Sequence, residues 1–185
     1  MSKCTEAVIL CEDRQQELFA RYFLIECGIN KRRIRVKIAK KGVGSGEQFV
    51  RENYPSEVKA FRSRNYLNIS LVIFVDADVN TVNYRLKQLD KELVSALLNR
   101  NRRNRRQTNE KIAIFVPKRN IETWIRYLKG NKVNEEAIYS KLPKESACKT
   151  FVKRLAHNYN EPLPEDAPHS LKKACIELAR IIYPK

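Results

Sequence analysis

The chain has 185 residues, with 37 Lys and Arg against 21 Asp and Glu, a formal net charge of +16 at neutral pH. That excess biases its partners toward polyanions, and a hydrophobic content of 43% supports one folded core and excludes wholesale disorder. The early apolar run at residues 7–11 is far too short for a signal-peptide core or a membrane span, and no later run comes near that length. A cytoplasmic protein with no membrane partner is expected. The five cysteines, Cys4, Cys11, Cys27, Cys148 and Cys175, are odd in number and never spaced CxxC, which argues for reduced thiols and against a disulfide framework or zinc knuckle. Only His157 and His169 are present, so chemistry that needs clustered histidines lacks its parts.

Residues 7–11 read as a short buried strand, and residues 15–27 follow as a helix with Leu18, Phe19, Tyr22 and Phe23 on one face before Gly28. Residues 33–40 alternate Ile34, Val36 and Ile38 with basic residues, the period of a strand with one solvated face. The glycine-bearing loop 42–46 comes next. Ser45 and Gln48 have capping-box spacing, which predicts a helix from Gly46 toward Pro55 and on to Arg64. Residues 69–75 are the most apolar stretch, and from Thr81 the residues Val82, Leu86, Leu89, Leu93 and Leu97 recur at helical spacing. Residues 111–116 form a fourth apolar strand stopped by Pro117, with Asn120 placed to cap a helix carrying Ile121, Trp124, Ile125 and Leu128. Four strand-helix units in succession predict an α/β fold, a small parallel sheet with helices on both faces. After Gly130 the pattern is helical only, at about 135–141, 144–156 and 170–183, so residues 1–130 are expected to form the α/β domain and 131–185 a helical extension packed on it or on a partner.

In a parallel sheet all carboxyl ends share one edge, where open α/β folds build their sites. Glu12 follows the first strand, Asp76 and Asp78 the third, and Glu122 lies shortly after the fourth, so topology gathers four carboxylates there. Clustered acids repel one another, and a hard divalent cation with oxygen ligands compensates them, which points to Mg2+, or Mn2+ in its place. Aspartates two apart at a strand end share a face and can reach one ion, with Asn80 adding a neutral oxygen. Taken singly these residues have plainer roles: Asp78 and Asn80 suit turns and caps, and Glu12 and Glu122 suit helix amino ends.

Glu12 after an apolar first strand, Asp76-Ala77-Asp78 after an apolar third strand, and a glycine-bearing loop between them resemble the Toprim domain of topoisomerases, primases and the overcoming-lysogenization-defect nucleases. The stretch Ile114-Phe115-Val116-Pro117 followed by Asn120-Ile121-Glu122-Thr123-Trp124 resembles most the small nuclease-type Toprim proteins of bacterial defence systems. The resemblance covers about two thirds of the chain. It implies a magnesium-dependent nuclease or nuclease subunit acting on DNA or RNA, with Glu12 as general acid or base, Asp76 and Asp78 holding metal, and an ATPase as partner. Two positions depart from the family pattern: Asp13 stands where many members have glycine, and no glycine lies near Asn80.

Such a nuclease needs cationic groups for the phosphate. Lys118 and Arg119 lie on the acidic edge beside Glu122, Lys40 and Lys41 reach it from the second strand, and the amides of Gly42, Gly44 and Gly46 could cradle another phosphate. The densest basic run, Arg100, Arg102, Arg103, Arg105 and Arg106, falls with Lys31, Arg32 and Arg33 near the strands' amino ends. There it reads either as a solvated loop or as a salt-sensitive contact to a nucleic-acid backbone. Two rival functions stand beside the nuclease. One is that of a non-catalytic Toprim-like module that binds nucleic acid or a partner subunit; the other is a different metal nuclease built on the acid-x-lysine element Glu57-Val58-Lys59. Phe151, Val152 and Leu155, then Leu171, Ala174, Cys175, Leu178, Ile181 and Ile182, recur at helical spacing and serve either the core or a partner; a second copy of the chain is a further candidate partner.

Overall fold

A computed structural model of the chain describes residues 6–64, 68–97 and 104–182. Cys4, Arg100, Arg102, Arg103 and Tyr183 lie outside the described residues. Four strands, β1 (Ala7–Cys11), β2 (Ile34–Ile38), β3 (Ser70–Phe74) and β4 (Ile112–Phe115), form one parallel sheet in the order β2-β1-β3-β4. The helices α1 (Arg14–Glu26), α2 (Gly46–Ser63), α3 (Val82–Ala96) and α4 (Ile121–Leu128) each follow a strand, and α5 (Lys149–His157) and α6 (His169–Leu178) complete the chain. The architecture is α/β with helices on both faces, as the alternation of apolar runs and helical stripes predicts.

Burial explains the strand compositions. β1 and β3 lie inside the sheet, covered on both faces, and every one of their residues is buried, so apart from Ser70 they read as apolar runs. β2 is an edge strand and alternates: Ile34, Val36 and Ile38 face the core, while Arg35 and Lys37 reach Glu57 of α2 at 2.6 and 3.0 Å. Glu57 is thereby bound into an ion-pair cluster against β2, in helical context, away from the carboxyl edge.

The two faces hold separate cores. Ala7, Ile9, Cys11, Val72, Phe74, Ala113 and Phe115 pack under α1, α4, α5 and α6, while Val8, Leu10, Leu71, Ile73, Ile112 and Ile114 pack under α2 and α3. Phe74 stacks on Phe115 at 5.0 Å between ring centroids and meets Trp124 edge-on at 6.1 Å. The Trp124 indole N–H donates to Ser170 Oγ at 2.8 Å, which ties α4 to α6 inside the core. Helices α5 and α6 thus belong to the same apolar layer as α1 and α4.

β4 is the other edge strand, yet all four of its residues are buried. Its outward groups are occupied by an ion pair: Glu177 of α6 accepts the Ile114 N–H at 3.0 Å, and Arg106, paired with Glu177, donates to the Ile112 carbonyl at 3.1 Å. Side chains here take the hydrogen bonds a fifth strand would make, which closes the edge to further pairing.

Residues 135–141 are not helical, contrary to the sequence pattern. Glu135 accepts the His169 and Ser170 N–H groups at 2.9 and 3.0 Å, capping α6 from outside, and Asn120 Nδ2 donates to the Tyr139 carbonyl at 2.7 Å. Side chains that would lie on a helix are pinned at separate points of the fold, and Ile138 is left 73% exposed. Asn120 sits at the amino end of α4 without accepting a cap hydrogen bond, because its amide serves Tyr139 and its Oδ1 accepts from Thr123 Oγ1.

Candidate active site at the carboxyl edge of the sheet

From β1 the chain steps outward to β2, then crosses back over β1 to β3, so the loops leaving β1 and β3 part in opposite directions and open a crevice at their carboxyl ends. Glu12 and Asp76 stand on its two sides. The Glu12 N–H donates to Gln16 Oε1 at 2.9 Å, and Asp13 Oδ1 caps α1 by accepting the Gln16 N–H at 3.0 Å. Glu12 Oε1 then reaches across and accepts the Asp76 N–H at 2.5 Å. Acids far apart along the chain are joined at one point.

This junction is electrostatically loaded. Burial, followed by Asp78 and Asp13, pushes the Glu12 carboxyl up to about 7 despite the Asp76 N–H and Arg85, which lower it. Asp76 is held well above the usual carboxylate range by burial and then by Glu12, Asp13, Glu122 and Asp78, and its Oδ1 is buried with no hydrogen-bond partner. Glu122, only 4% exposed, also carries a buried, unpartnered Oε1, and its pKa is raised by burial and by Asp13. Lys141 pairs with Asp13 and adds a cation to this field.

The third glycine of the loop after β2 has a specific duty. A Cβ on Gly46 would stand 2.8 Å from Glu12 Cβ and 3.1 Å from Glu12 Oε2, so only glycine lets α2 begin this close to the acid. The positive φ of Gly42 and Gly44 bends the loop, and Lys40 and Lys41 are exposed at its start.

Asp78 lies apart from Glu12 and Asp76 in character. Its φ is +54°, its side chain is 54% exposed, and Oδ2 lies 3.3 Å from an Arg85 nitrogen. Arg119 donates to the Asp78 carbonyl at 3.2 Å, and Lys118 Nζ donates to the Asn80 carbonyl at 3.0 Å and to Glu136 at 3.1 Å. These two cations staple the Asp-Ala-Asp loop to the β4 loop. At the opposite edge Arg105 is exposed, whereas Arg106 is turned inward to Glu177 and β4, which removes it from any nucleic-acid surface. His157 lies 3.5 Å from Glu26, and His169 opens α6; neither adjoins the acids.

Sequence reasoning missed Arg85. It is 3% exposed and donates to the Asp76 carbonyl at 3.0 Å, to Gln88 Oε1 at 2.6 Å and to Glu47, besides facing Asp78. The signal was present: Val82, Arg85, Leu89 and Leu93 share the buried face of α3, and an arginine on an apolar stripe requires partners. Glu47 was hidden because an acid in a first helical turn is favoured by the dipole alone.

Among the described residues, no three His, Cys, Asp or Glu side chains stand arranged to hold a metal ion. The donors nonetheless fit a hard divalent cation: they are carboxylate oxygens, and buried oxygens of Asp76 and Glu122 lack any donor. Among the described residues no helix is long and apolar enough to cross a membrane. No protein-family model, curated protein or solved structure matches the chain.

Proposed function

We propose that the chain is a Mg2+-dependent Toprim-type nuclease, or the nuclease subunit of a complex, hydrolysing phosphodiester bonds in DNA or RNA within a bacterial anti-phage defence system. One observation carries this reading: Glu12 and Asp76 meet at the point where the strand order reverses, both raised chiefly by burial, with an Asp76 oxygen unsatisfied. Asp76 and Glu12 would hold the ion, Mg2+ or Mn2+, with Asp78 and Glu122 at its rim. When bound, the cation supplies charge neutralisation at the phosphate. As the alternative to direct ligation, Glu12 can take a proton from a water or return one to the leaving oxygen. Lys40 and Lys41, exposed on the same edge, attract the nucleic-acid backbone, and Lys118 and Arg119 keep the aspartate loop in register while lining it. The defence setting and an ATPase partner rest on the resemblance alone.

The test is cleavage of mixed DNA and RNA by purified protein with Mg2+ or Mn2+, beside Asp76→Ala. Cleavage that survives the substitution refutes the site. A second reading, a non-catalytic module that docks nucleic acid or a partner subunit, is favoured by Arg85, whose buried guanidinium already compensates part of the acidic edge. Retention on nucleic acid with no uptake of divalent cation by the wild type selects that reading.

A further inference from the structure

The acids of the carboxyl edge divide into two sets by their partners. Asp78 and Glu47 are paired directly with Arg85, Glu47 also with Arg51 at 2.5 Å, and Asp13 with Lys141. Glu12, Asp76 and Glu122 have no ion-pair partner among the described residues, and Glu12 and Asp76 are the two that meet. The Arg85 fork also fixes the backbone between the two aspartates: Nε donates to the Asp76 carbonyl at 3.0 Å, and a terminal nitrogen lies 3.5 Å from the Ala77 carbonyl. Asp78 therefore leans on a cation that cannot diffuse away.

Resting on the cation site proposed above, we infer that this edge takes one divalent ion, at Glu12 and Asp76, and that Arg85 stands in for a second ion by holding Asp78 as a fixed counter-charge. Glu12 and Asp76, the two unpaired carboxylates that meet, balance one dication, with the unpaired Glu122 at its rim. On the other side Asp78, Glu47 and Glu92 are already met by the guanidinium groups of Arg85 and Arg51, which leaves too little negative charge to hold a second dication. Arg85 is a positioning residue in this scheme, acting through Asp78 and the loop carbonyls.

Calorimetric titration of the cation-free full chain with Mn2+ tests the count. The wild type is expected to take up one ion per chain, and Arg85→Gln is expected to admit a second, weaker equivalent at the Asp78 and Glu47 carboxylates. Glu47→Gln keeps the length of the side chain and an oxygen for Arg85, but leaves Arg85 under-compensated while Arg51 keeps Glu92, and should weaken the first ion several-fold. Two equal equivalents in the wild type overturn the inference and leave the cation site standing; no uptake at all overturns the cation site as well. Should Arg85→Gln fail to fold, an unchanged Mn2+ affinity in well-folded Glu47→Gln overturns the role given to Arg85, because the charge of a fixed counter-cation must be felt at the neighbouring ion.

Discussion

Replacing Glu12 by Gln should make the protein more stable at pH 8 in the absence of divalent cations. The displacement of the Glu12 carboxyl from its ordinary 4.5 to about 7 means the folded state binds this proton more tightly than the unfolded chain does. Its sign follows from linkage. Stability contributed by the protonated group is complete below about pH 4.5, is lost as the pH rises, and is gone above about pH 7, a difference of roughly 3 kcal/mol. Gln keeps an oxygen for the Asp76 N–H, and the stronger bond made by the charged form is already contained in the net displacement. A gain of roughly 3 kcal/mol at pH 8 is expected, worth several degrees in Tm for a chain of this length. Near pH 5, where the wild-type acid is already protonated, the gain should largely vanish. Urea denaturation of both proteins at the two pH values measures it. A variant less stable than wild type at pH 8, or an equal difference at both pH values, refutes the idea that Glu12 is a strained acid held at the crevice.

The other perturbations probe neighbouring features. Gly46→Ala places a methyl group against Glu12; overpacking of ~1–3 kcal/mol exceeds the modest helix-propensity gain, so Tm should fall by a few degrees and Mn2+ affinity with it, whereas an unchanged Tm would contradict the close approach. Glu177→Ala strips the Ile114 N–H and Arg106 of their partner and should cost ~2–3 kcal/mol in urea denaturation, with concentration-dependent self-association on size exclusion as the β4 edge opens. A monomer of wild-type stability would show that Glu177 does not guard the edge. Exchanging Lys40 and Lys41 together for Gln should weaken retention on nucleic acid and lower the salt slope by about 2, while Arg106→Gln should leave that slope unchanged and affect stability instead; the reverse result would place the nucleic acid on the opposite edge.

Much of the fold was legible in the chain because its information is local. Four apolar runs alternating with helical stripes are enough to require parallel strands under helices, and parallelism alone sends the residues after each strand to one edge, which is why Glu12, Asp76 and Asp78 could be named from spacing. Residues 135–141 failed for the opposite reason: a helical pattern was outweighed by Glu135 and Asn120, whose partners lie elsewhere in the fold. Arg106 could not be told from a surface arginine without knowing that α6 would bring Glu177 to the rim of β4.

The pairing of charges, by contrast, emerges only on packing. The order of residues along the chain is enough to send acids and bases to a shared edge, but it carries no term for distance, and at these separations the sign of an acid's role depends on which neighbour lies within a few ångströms. Glu12 gained an Asp76 amide instead of a cation, Asp78 gained Arg85, and Gly46 gained a place no side chain could occupy. Asp78 and Arg85 are seven residues apart, but the other two contacts join elements separated along the chain, and the folded core brought them together.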